Sequence, residues 1–326
     1  VTVVPMDGAP QVLEHAYVAV EGTKIASVGT EPPEGTFDRV VDGAGKVLLP
    51  GFVNAHTHLP MTLMRGYGGG CDLHTWLNQY IFPAEARLDS RAVAAGTGLG
   101  LAEMIASGVT CVADMYMHTG TIAEQILEAG ISANLSCGGV YFGAPEDFSP
   151  ETCGDCRNQA ALTEEWHGAG AGQILVDASV HGEYTSNPPL WRWMAEYAAE
   201  HRLGMHVHVS ETQSEHQASL ERWGKTPIQA LDGCGVWDCG RSLAAHCVYT
   251  TEEDWALMVE KGISCVHNPW SNLKLGSGVA PIPAMMRAGV NVALGTDGMS
   301  SHNSADLFSD IKLAAVLHNG VERDPM

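Results

Sequence analysis

The stretch Val53-Asn54-Ala55-His56-Thr57-His58 decides the fold, because it ends an apolar run with two histidines. The run itself, residues 46–53, is typical of a strand that is buried on both faces of a parallel sheet. Histidines two positions apart on a strand point to the same face, where both imidazoles can bind one metal ion. A strand can also carry two histidines for packing or hydrogen bonding, so this pair alone leaves both roles open.

Three later apolar runs also end in residues that can bind a metal. One ends in His206-Val207-His208, the second in His246 and the third in Asp297. His206 and His208 share one strand face, so their spacing cannot choose between them. Four strands with such residues at their carboxyl ends are typical of the active site of a (β/α)8 barrel, also called a TIM barrel. The sequence therefore predicts an active site at one end of a parallel barrel.

The order of the elements favours the same fold class. After residue 50, strand patterns alternate with helix patterns, which indicates parallel strands connected by helices. Strands are predicted at 51–56, 109–114, 131–136, 174–181, 204–210, 242–247, 263–267 and 290–296, and helices at 91–107, 119–129, 188–201, 251–260, 280–288 and 304–319. We predict an α/β fold in which residues 50–326 form a (β/α)8 barrel with a long, functional first loop at 57–90.

Residues 1–49 have a different pattern. Their short alternating runs are separated by Gly and Pro, as expected of small antiparallel strands. We predict a small β-sandwich appendage built from these N-terminal strands. About five short strands are too few for a stable sandwich, so we expect its C-terminal half to be absent from this chain.

The composition argues against several classes of partner. The chain has 17 Lys and Arg against 38 Asp and Glu, and 17 − 38 gives a net charge of −21. Such acidity disfavours nucleic-acid backbones and anionic membranes. No run approaches the roughly 18 apolar residues of a membrane span. We expect a small-molecule substrate, no nucleic-acid partner and no membrane partner, and the sequence leaves a homo-oligomer open.

The cysteines indicate a compartment. Nine cysteines, an odd number scattered along the chain, are typical of reduced thiols in a cytoplasmic enzyme. Cys153 and Cys156 have the spacing of a redox or zinc motif. A redox pair should open a helix, whereas we predict a polar loop here. The chain begins at Val1, so the sequence leaves a preceding leader open.

Several longer motifs resemble one family. The histidine stretch continues into Pro60-Met61-Thr62-Leu63-Met64-Arg65-Gly66, and the later motifs are His208-Val209-Ser210-Glu211-Thr212, Ala245-His246-Cys247-Val248, His267-Asn268-Pro269-Trp270-Ser271-Asn272-Leu273-Lys274-Leu275 and Leu294-Gly295-Thr296-Asp297-Gly298. Together they resemble the amidohydrolase superfamily over nearly the whole chain. Within it, they resemble the branch of cytosine/guanine and 5′-methylthioadenosine/S-adenosylhomocysteine deaminases.

The resemblance implies one divalent metal, with zinc as the first expectation and iron as the alternative. The implied ligands are His56, His58, His208 and Asp297. His208 is preferred over His206 because it lies nearer the strand end and fits the family's H-x-x-E pattern. His206 is interpreted as a packed interior histidine.

Three catalytic roles also follow from the resemblance. Asp297 would accept a proton from the water activated by the metal, and His246 would hydrogen-bond the hydroxide or the substrate. Glu211 would protonate a ring nitrogen, so that hydroxide adds to the neighbouring carbon and ammonia leaves. The implied reaction is the hydrolytic deamination of an aminopurine, catalysed by an aminohydrolase of cyclic amidines.

Substrate contacts are implied for three further residues. Trp76 and Glu85 lie in the first loop, where nucleoside-acting relatives have a tryptophan and a glutamate that binds both ribose hydroxyls. His181 corresponds to a histidine that faces the purine. Each could equally be a packing or supporting contact.

One departure from the family's pattern bears on the substrate. Members acting on S-adenosylhomocysteine are expected to place an arginine after the third strand, against the substrate carboxylate. Here Cys137 ends that strand and Arg157 is the nearest arginine, whereas loop 138–156 carries the acids Glu146, Asp147, Glu151 and Asp155. Coulomb repulsion then favours a neutral nucleoside, such as adenosine, 5′-deoxyadenosine or 5′-methylthioadenosine.

Two alternatives stay open at this stage. Another member of the superfamily, such as a guanine or pterin deaminase or an s-triazine hydrolase, would share the metal motifs. A catalytically silent metal-binding subunit would keep the histidines without turnover, although every expected ligand position is filled.

Overall fold

The structure is a computed structural model that describes residues 1–8 and 11–323. The chain divides into two compact units, Val1–Phe52 and Val53–Met326. The strands are β1 (Thr2–Val3), β2 (Tyr17–Glu21), β3 (Lys24–Gly29), β4 (Val47–Leu48), β5 (Phe52–His58), β6 (Val109–Met115), β7 (Ser132–Ser136), β8 (Ile174–Val176), β9 (Ala178–Gly182), β10 (Met205–Val209), β11 (Ser242–His246), β12 (Ile263–His267), β13 (Val292–Leu294) and β14 (Asp297–Gly298).

Helices connect most of the strands in the second unit. They are α1 (Leu73–Thr75), α2 (Phe82–Glu85), α3 (Ser90–Ala106), α4 (Thr119–Ala129), α5 (Gly154–Trp166), α6 (Ala169–Gly172), α7 (Pro188–His201), α8 (Gln213–Trp223), α9 (Pro227–Asp232), α10 (Glu252–Lys261), α11 (Pro269–Lys274), α12 (Ile282–Arg287), α13 (Met299–His302) and α14 (Leu307–Glu322). Among the described residues, no helix is both long and apolar enough to cross a membrane.

Two five-stranded sheets form the centre of the second unit. Their strand orders are β14-β5-β6-β7-β8 and β13-β12-β11-β10-β9, with parallel registers. Only Asp177 separates β8 from β9, and only Gly295 and Thr296 separate β13 from β14. At both junctions, therefore, the chain passes directly from one sheet to the other. The predicted parallel α/β architecture is confirmed.

Local sequence signals set the ends of several helices. Asp89 caps α3 by accepting a hydrogen bond from the backbone N–H of Ala92, at 2.8 Å. Thr212 and Glu215 form a reciprocal capping box at the start of α8. Because α8 follows directly from the end of β10, this cap fixes the path of the chain beside Glu211.

The predicted first loop, 57–90, is largely ordered into short helices. A 3-10 helix covers Leu59–Met64, and α1, a π-helix over Trp76–Ile81 and α2 follow one another. Pro83 has no N–H, which interrupts the α-helical hydrogen-bond pattern at this point. π-helical turns occur frequently at functional sites, and this one positions Trp76.

The first unit consists of two small sheets. Strands β2 and β3 pair in the antiparallel sense, as predicted. Strands β1 and β4 instead pair in parallel, so the prediction of antiparallel strands throughout is wrong there. A parallel pair needs a crossover connection of a dozen or more residues, and the long segment 4–46 between β1 and β4 supplies one.

The cysteine motif lies in a helix and not in a loop. Cys153 is the N-cap of α5 and Cys156 lies in its first turn, so the loop prediction is wrong. All nine cysteines are free thiols. Burial raises the pKa of Cys156, which keeps it protonated and weakly reactive.

Candidate active site

Four polar side chains meet at the carboxyl ends of two strands and the start of a third. His56 and His58 belong to β5, His208 to β10, and Asp297 opens β14. Oδ1 of Asp297 lies 3.5 Å from Nε2 of His56 and 3.1 Å from Nε2 of His58. Nε2 of His208 lies 3.3 Å from Nε2 of His58. The structure thus gathers three imidazoles and one carboxylate that the sequence places far apart.

Two neighbours of these residues fix the approach of β14 to β5. Asn54 donates from Nδ2 to Oγ1 of Thr296 at 2.8 Å, and its Oδ1 accepts from the backbone N–H of Thr296 at 3.0 Å. A side chain at Gly295 would collide with the backbone oxygen of His56, because its Cβ would lie 2.8 Å away. The glycine therefore permits the close approach that brings Asp297 to the histidines.

Hydrogen bonds to the backbone set the tautomers of two histidines. Nδ1 of His58 contacts the carbonyl oxygen of Met115, and Nδ1 of His208 lies 2.6 Å from that of His181. A carbonyl oxygen can only accept, so each Nδ1 carries the proton. Both Nε2 atoms therefore direct their lone pairs into the cluster, which is the arrangement of a metal-binding histidine.

The donor set fits a divalent cation. The Nε2 atoms of His58 and His208 lie 3.3 Å apart, and at this distance their lone pairs repel each other. Two ligand atoms about 2.0–2.1 Å from a tetrahedral ion lie roughly 3.3–3.4 Å apart, so the observed spacing matches that of two ligands of one metal ion. The buried Nε2 of His56 has no hydrogen-bond partner among the described residues. Two overlapping clusters could hold a metal, namely His56, His58 and Asp297, and His56, His208 and His246.

The pKa values point the same way. Burial lowers the pKa of His56 to about 4. Burial also acts against a proton on His58, but the hydrogen bond and charge of Asp297 outweigh it and raise the pKa of His58 to about 9. Burial would raise the pKa of Asp297, yet the two histidines hold it well below its usual range. A proton on Nε2 of His58 would therefore lie beside Asp297 in the place that a divalent cation takes, and it is the neutral imidazole, with its Nε2 lone pair free, that binds a metal.

Two serine hydroxyls orient the carboxylate. Ser271 and Ser301 donate to Oδ2 of Asp297 at 2.5 and 2.9 Å. Oδ1 accepts from the backbone N–H of Gly298 at 2.8 Å and faces the histidines. The side chain of Asp297 is therefore held in one orientation, with a defined oxygen toward the cluster.

Glu211 and His246 form a second group beside the cluster. Nε2 of His246 lies 3.6 Å from Oε2 of Glu211. Nδ1 of His246 donates to Oδ1 of Asn272 at 2.8 Å. Ser277 lies 3.4 Å from Oε1 of Glu211. Burial raises the pKa of Glu211, which favours its protonated form more than in an exposed glutamate.

Several of these residues have a left-handed backbone. The φ angles are +47° at Ser210, +74° at His246, +51° at Cys247 and +61° at Asp297. Residues other than glycine adopt this region rarely, and such strain clusters at functional sites. Here it occurs directly after β10, at the end of β11 and at the start of β14, and two of the four residues, His246 and Asp297, belong to the candidate site.

A cavity of about 400 Å³ opens beside the cluster. Its lining includes His58, His208, Glu211, His246 and Asp297. Apolar side chains from the ordered first segment, from β6 and from the loop after β7 complete it, including Trp76, Leu77, Phe82, Met115, Val140 and Phe142. A mostly apolar cavity with a few convergent polar groups is typical of a small-molecule site.

The three predicted substrate-contacting residues line this cavity. Trp76 and Glu85 are largely buried, and burial raises the pKa of Glu85. His181 is half-buried and its Nδ1 lies 3.1 Å from Oγ1 of Thr185. Because Thr185 donates its own proton to the carbonyl oxygen of Gly182, it accepts from Nδ1 of His181. Nε2 of His181 is then a hydrogen-bond acceptor.

One of the four acids predicted in a loop after β7 lines the cavity, and it lies in the first turn of α5. Asp155 is part of the lining, whereas Glu146, Asp147 and Glu151 are exposed and lie outside it. Arg157 is also exposed and donates to the backbone oxygen of Glu151 at 2.8 Å. The arginine is therefore directed away from the cavity.

Sequence reasoning missed several residues of this site. Tyr116 lines the cavity, and burial together with the charge of Glu85 raises the pKa of its hydroxyl. It follows the predicted strand 109–114, so the strand-end rule used elsewhere could have found it. Asn272 and Ser271 lie in a motif quoted for its resemblance. Nothing in their spacing indicates contact with His246 and Asp297.

A parallel α/β fold that gathers histidines and an aspartate at strand ends is typical of metal-assisted hydrolases. Residues 47–326 match the amidohydrolase family, "Amidohydro_1". The chain belongs to this family.

Named relatives agree with this membership. The chain is 38% identical over 327 residues to a 5-methylthioadenosine/S-adenosylhomocysteine deaminase of Syntrophomonas wolfei, covering 100% of this chain and 74% of the relative. It is 40% identical over 313 residues to a 5′-deoxyadenosine deaminase of Methanothermobacter thermautotrophicus, covering 96% of this chain and 72% of the relative.

A solved structure is similar over the same range. The crystal structure of an adenosine deaminase from Xanthomonas campestris with bound zinc superposes with a TM-score of 0.86 at 32% identity. The alignment covers 99% of this chain and 74% of that chain. Family and relatives together confirm the predicted enzyme class, a metal-dependent hydrolase of the deaminase type acting on carbon–nitrogen bonds.

Proposed function

We propose that the protein removes the amino group of an adenosine-type nucleoside by hydrolysis and releases ammonia. The observation that carries this proposal is a single cavity whose lining includes three of the proposed metal ligands and Glu211, together with the buried Glu85. The proposed metal ligands and Glu211 are suited to hydrolysis at an aminopurine ring. The carboxylate of Glu85 is suited to accept hydrogen bonds from the two ribose hydroxyls. The deaminase relatives support the same substrate class.

The proposed metal ligands are His56, His58, His208 and Asp297, with zinc as the metal and iron as the alternative. The zinc in the related adenosine deaminase structure supports this choice. His206 is not a ligand in this proposal, because its Nε2 lies 2.9 Å from Nδ1 of His56 on the far side of that ring. When bound, the metal lowers the pKa of water from about 16 to about 7 and so supplies hydroxide at neutral pH.

The chain's own residues would then move the protons. Oδ1 of Asp297 accepts the proton that water loses. Glu211, buried and with a raised pKa, protonates the ring nitrogen and so makes the adjacent carbon electrophilic. His246, held by Asn272, hydrogen-bonds the incoming oxygen. The proton held by Asp297 then passes to the amino group, which leaves as ammonia, and the proton of the added hydroxyl returns to Glu211. Overall, water and the aminopurine give the oxopurine and ammonia.

The substrate orientation follows from the remaining lining. Trp76 provides an apolar surface, Glu85 accepts hydrogen bonds from the two ribose hydroxyls, and His181 faces the purine. Asp155 in the lining and the outward direction of Arg157 favour a neutral 5′ group over one with a carboxylate.

A first test concerns the ligand set. The purified enzyme is expected to hold one equivalent of zinc or iron, measured by elemental analysis. His208→Ala should lose this metal, because it removes a proposed ligand. His246→Ala should retain it while turnover falls, because His246 acts on the reacting groups. If instead only the His246→Ala enzyme lost its metal, His246 would take the place of His208 among the proposed ligands.

A second test concerns the ribose. Glu85→Ala should lower kcat/KM on adenosine, 5′-deoxyadenosine and 5′-methylthioadenosine about ten- to a hundredfold, because a hydrogen bond to a charged group contributes roughly 1.5–3 kcal/mol. Activity on free bases should fall much less. The control is Glu146→Ala, an exposed acid outside the cavity lining. Faster turnover of free guanine than of any riboside in the parent enzyme would favour the guanine deaminase alternative.

The finer architecture is also part of the proposal. We infer that the two parallel sheets form one closed (β/α)8 barrel, supported by the two junctions at which one sheet continues into the other. We assign residues 50–326 to this barrel and 1–49 to a small β-sandwich appendage. Exposed apolar residues of the first unit, such as Ile25 and Val40, support a partner layer there. The free thiols support a reducing, cytoplasmic compartment.

A further inference from the structure

His206 bonds the outer face of a proposed ligand. Its Nε2 lies 2.9 Å from Nδ1 of His56, and the two rings meet nearly edge to face, with an interplanar angle of 78°. Its Nδ1 lies 3.4 Å from Oγ of Ser136, in β7. Both histidines and the serine are almost fully buried, with exposed fractions of 0–1%. Water therefore has little access to replace these bonds.

The direction of these bonds determines which nitrogen of His56 is free. If His206 donated from Nε2, Nδ1 of His56 would accept and the proton of His56 would sit on Nε2, which faces the cluster. If His206 accepts at Nε2, the proton of His56 sits on Nδ1 and the Nε2 lone pair is free. The two directions give opposite tautomers, and only the second lets His56 bind a metal.

The next bonds in the chain support the second direction. The hydroxyl of Ser136 can donate to the backbone oxygen of Asp114, at 3.4 Å, which leaves its oxygen to accept from Nδ1 of His206. A neutral histidine that donates from Nδ1 has an accepting Nε2. The protons then run in one direction, from His56 to His206 to Ser136 to the carbonyl of Asp114.

We propose that His206 is a positioning residue of the metal centre, which accepts the Nδ1 proton of His56 and thereby keeps Nε2 of His56 free and aimed at the metal. This role adds to the interpretation of His206 as a packed interior histidine, with which its burial agrees. It rests on the metal site of the proposed function. Other cluster histidines use backbone carbonyls for the same purpose, whereas His56 uses a side chain that can be replaced by mutation.

The test measures the zinc affinity of the protein by competition with a chelator of known affinity. His206→Leu removes the acceptor and should weaken zinc binding about ten- to a hundredfold, the usual effect of losing a partner of a metal-binding histidine. His206→Gln keeps an oxygen acceptor and should retain most of the affinity. Met205→Leu is the matched control, because Met205 is equally buried on the same strand and should leave zinc binding unchanged.

A second readout separates positioning from packing. For each variant, the melting temperature is measured with and without zinc. A positioning role predicts that His206→Leu reduces the rise produced by zinc, and that His206→Gln restores it. A packing role would lower both melting temperatures equally. Ser136→Ala is a smaller change and should reduce zinc affinity less than His206→Leu does. If the His206→Leu protein does not fold, Ser136→Ala tests the inference in its place.

Three results would overturn the inference. One is a His206→Leu protein with parental zinc affinity. Another is a His206→Gln protein that binds zinc as weakly as the His206→Leu protein, because the size of the side chain and not its hydrogen-bond acceptor would then determine the zinc affinity. The third is an unchanged Ser136→Ala protein where His206→Leu does not fold. A parent protein that binds no zinc or iron at all would instead refute the metal site of the proposed function, and this inference with it.

Discussion

Asp297→Asn is expected to lower kcat by about 10³-fold or more on every good substrate. The substitution keeps the size of the side chain but removes the negative charge from the cluster and the proposed acceptor of the water proton. General-base catalysis contributes about 10²–10⁴-fold, and the weakened attraction for the metal adds to that. The measurement is steady-state kinetics with added zinc, together with the metal content of each preparation.

Ser301→Ala is the matched control for this change. Ser301 donates to Oδ2 of Asp297, so its loss loosens the carboxylate without removing the charge. Its effect should stay within about ten- to a hundredfold. An Asp297→Asn enzyme no slower than the Ser301→Ala enzyme would mean that the carboxylate neither binds the metal nor takes the proton.

Glu211→Gln should lower kcat by about 10²–10⁴-fold while the metal and the fold are retained. The amide can still accept and donate hydrogen bonds, but it cannot supply a proton to the ring nitrogen. Metal content, circular dichroism and kcat on adenosine and 5′-methylthioadenosine check the three parts of this prediction. Glu221→Gln, an exposed acid in α8, is the control and should be fully active.

Two outcomes for Glu211→Gln would contradict the proposed mechanism. If Glu211→Gln turned over its best substrate at the parental rate, proton transfer to the ring would have to come from another group. If the variant lost its metal, Glu211 would belong to the metal site and not to the acid–base step.

The sequence places the strands that carry the site residues close to their positions in the structure, because each carries two independent signals. The ends differ at His58, which β5 includes, and at Asp297, which opens the separate strand β14. An apolar run of strand length ends in a polar residue of restricted type, as at His58, His208, His246 and Asp297. Parallel sheets align the carboxyl ends of their strands, so these residues were expected to converge. The family resemblance favours His208 over His206 as the proposed ligand, a choice that spacing alone could not make.

The supporting contacts could not be predicted from the sequence in the same way. The bond from His246 to Asn272 and that from His56 to His206 span 26 and 150 residues, and they depend on side-chain geometry after folding. The short helices in 57–90 were missed because their apolar residues lack a long helical period. The loop predicted at Cys153 failed because polar residues also suit the first turn of a helix.

The left-handed residues at the strand ends have a consequence for the stability of the whole protein. Left-handed backbone costs roughly 1–2 kcal/mol per residue, so the four described here store on the order of 4–8 kcal/mol. A typical domain is stable by only about 5–15 kcal/mol in total. Favourable interactions in the rest of the fold therefore have to offset the backbone strain at the active site. Mutations that destabilise the core far from the active site should therefore change the backbone angles of these residues and lower kcat before the protein unfolds.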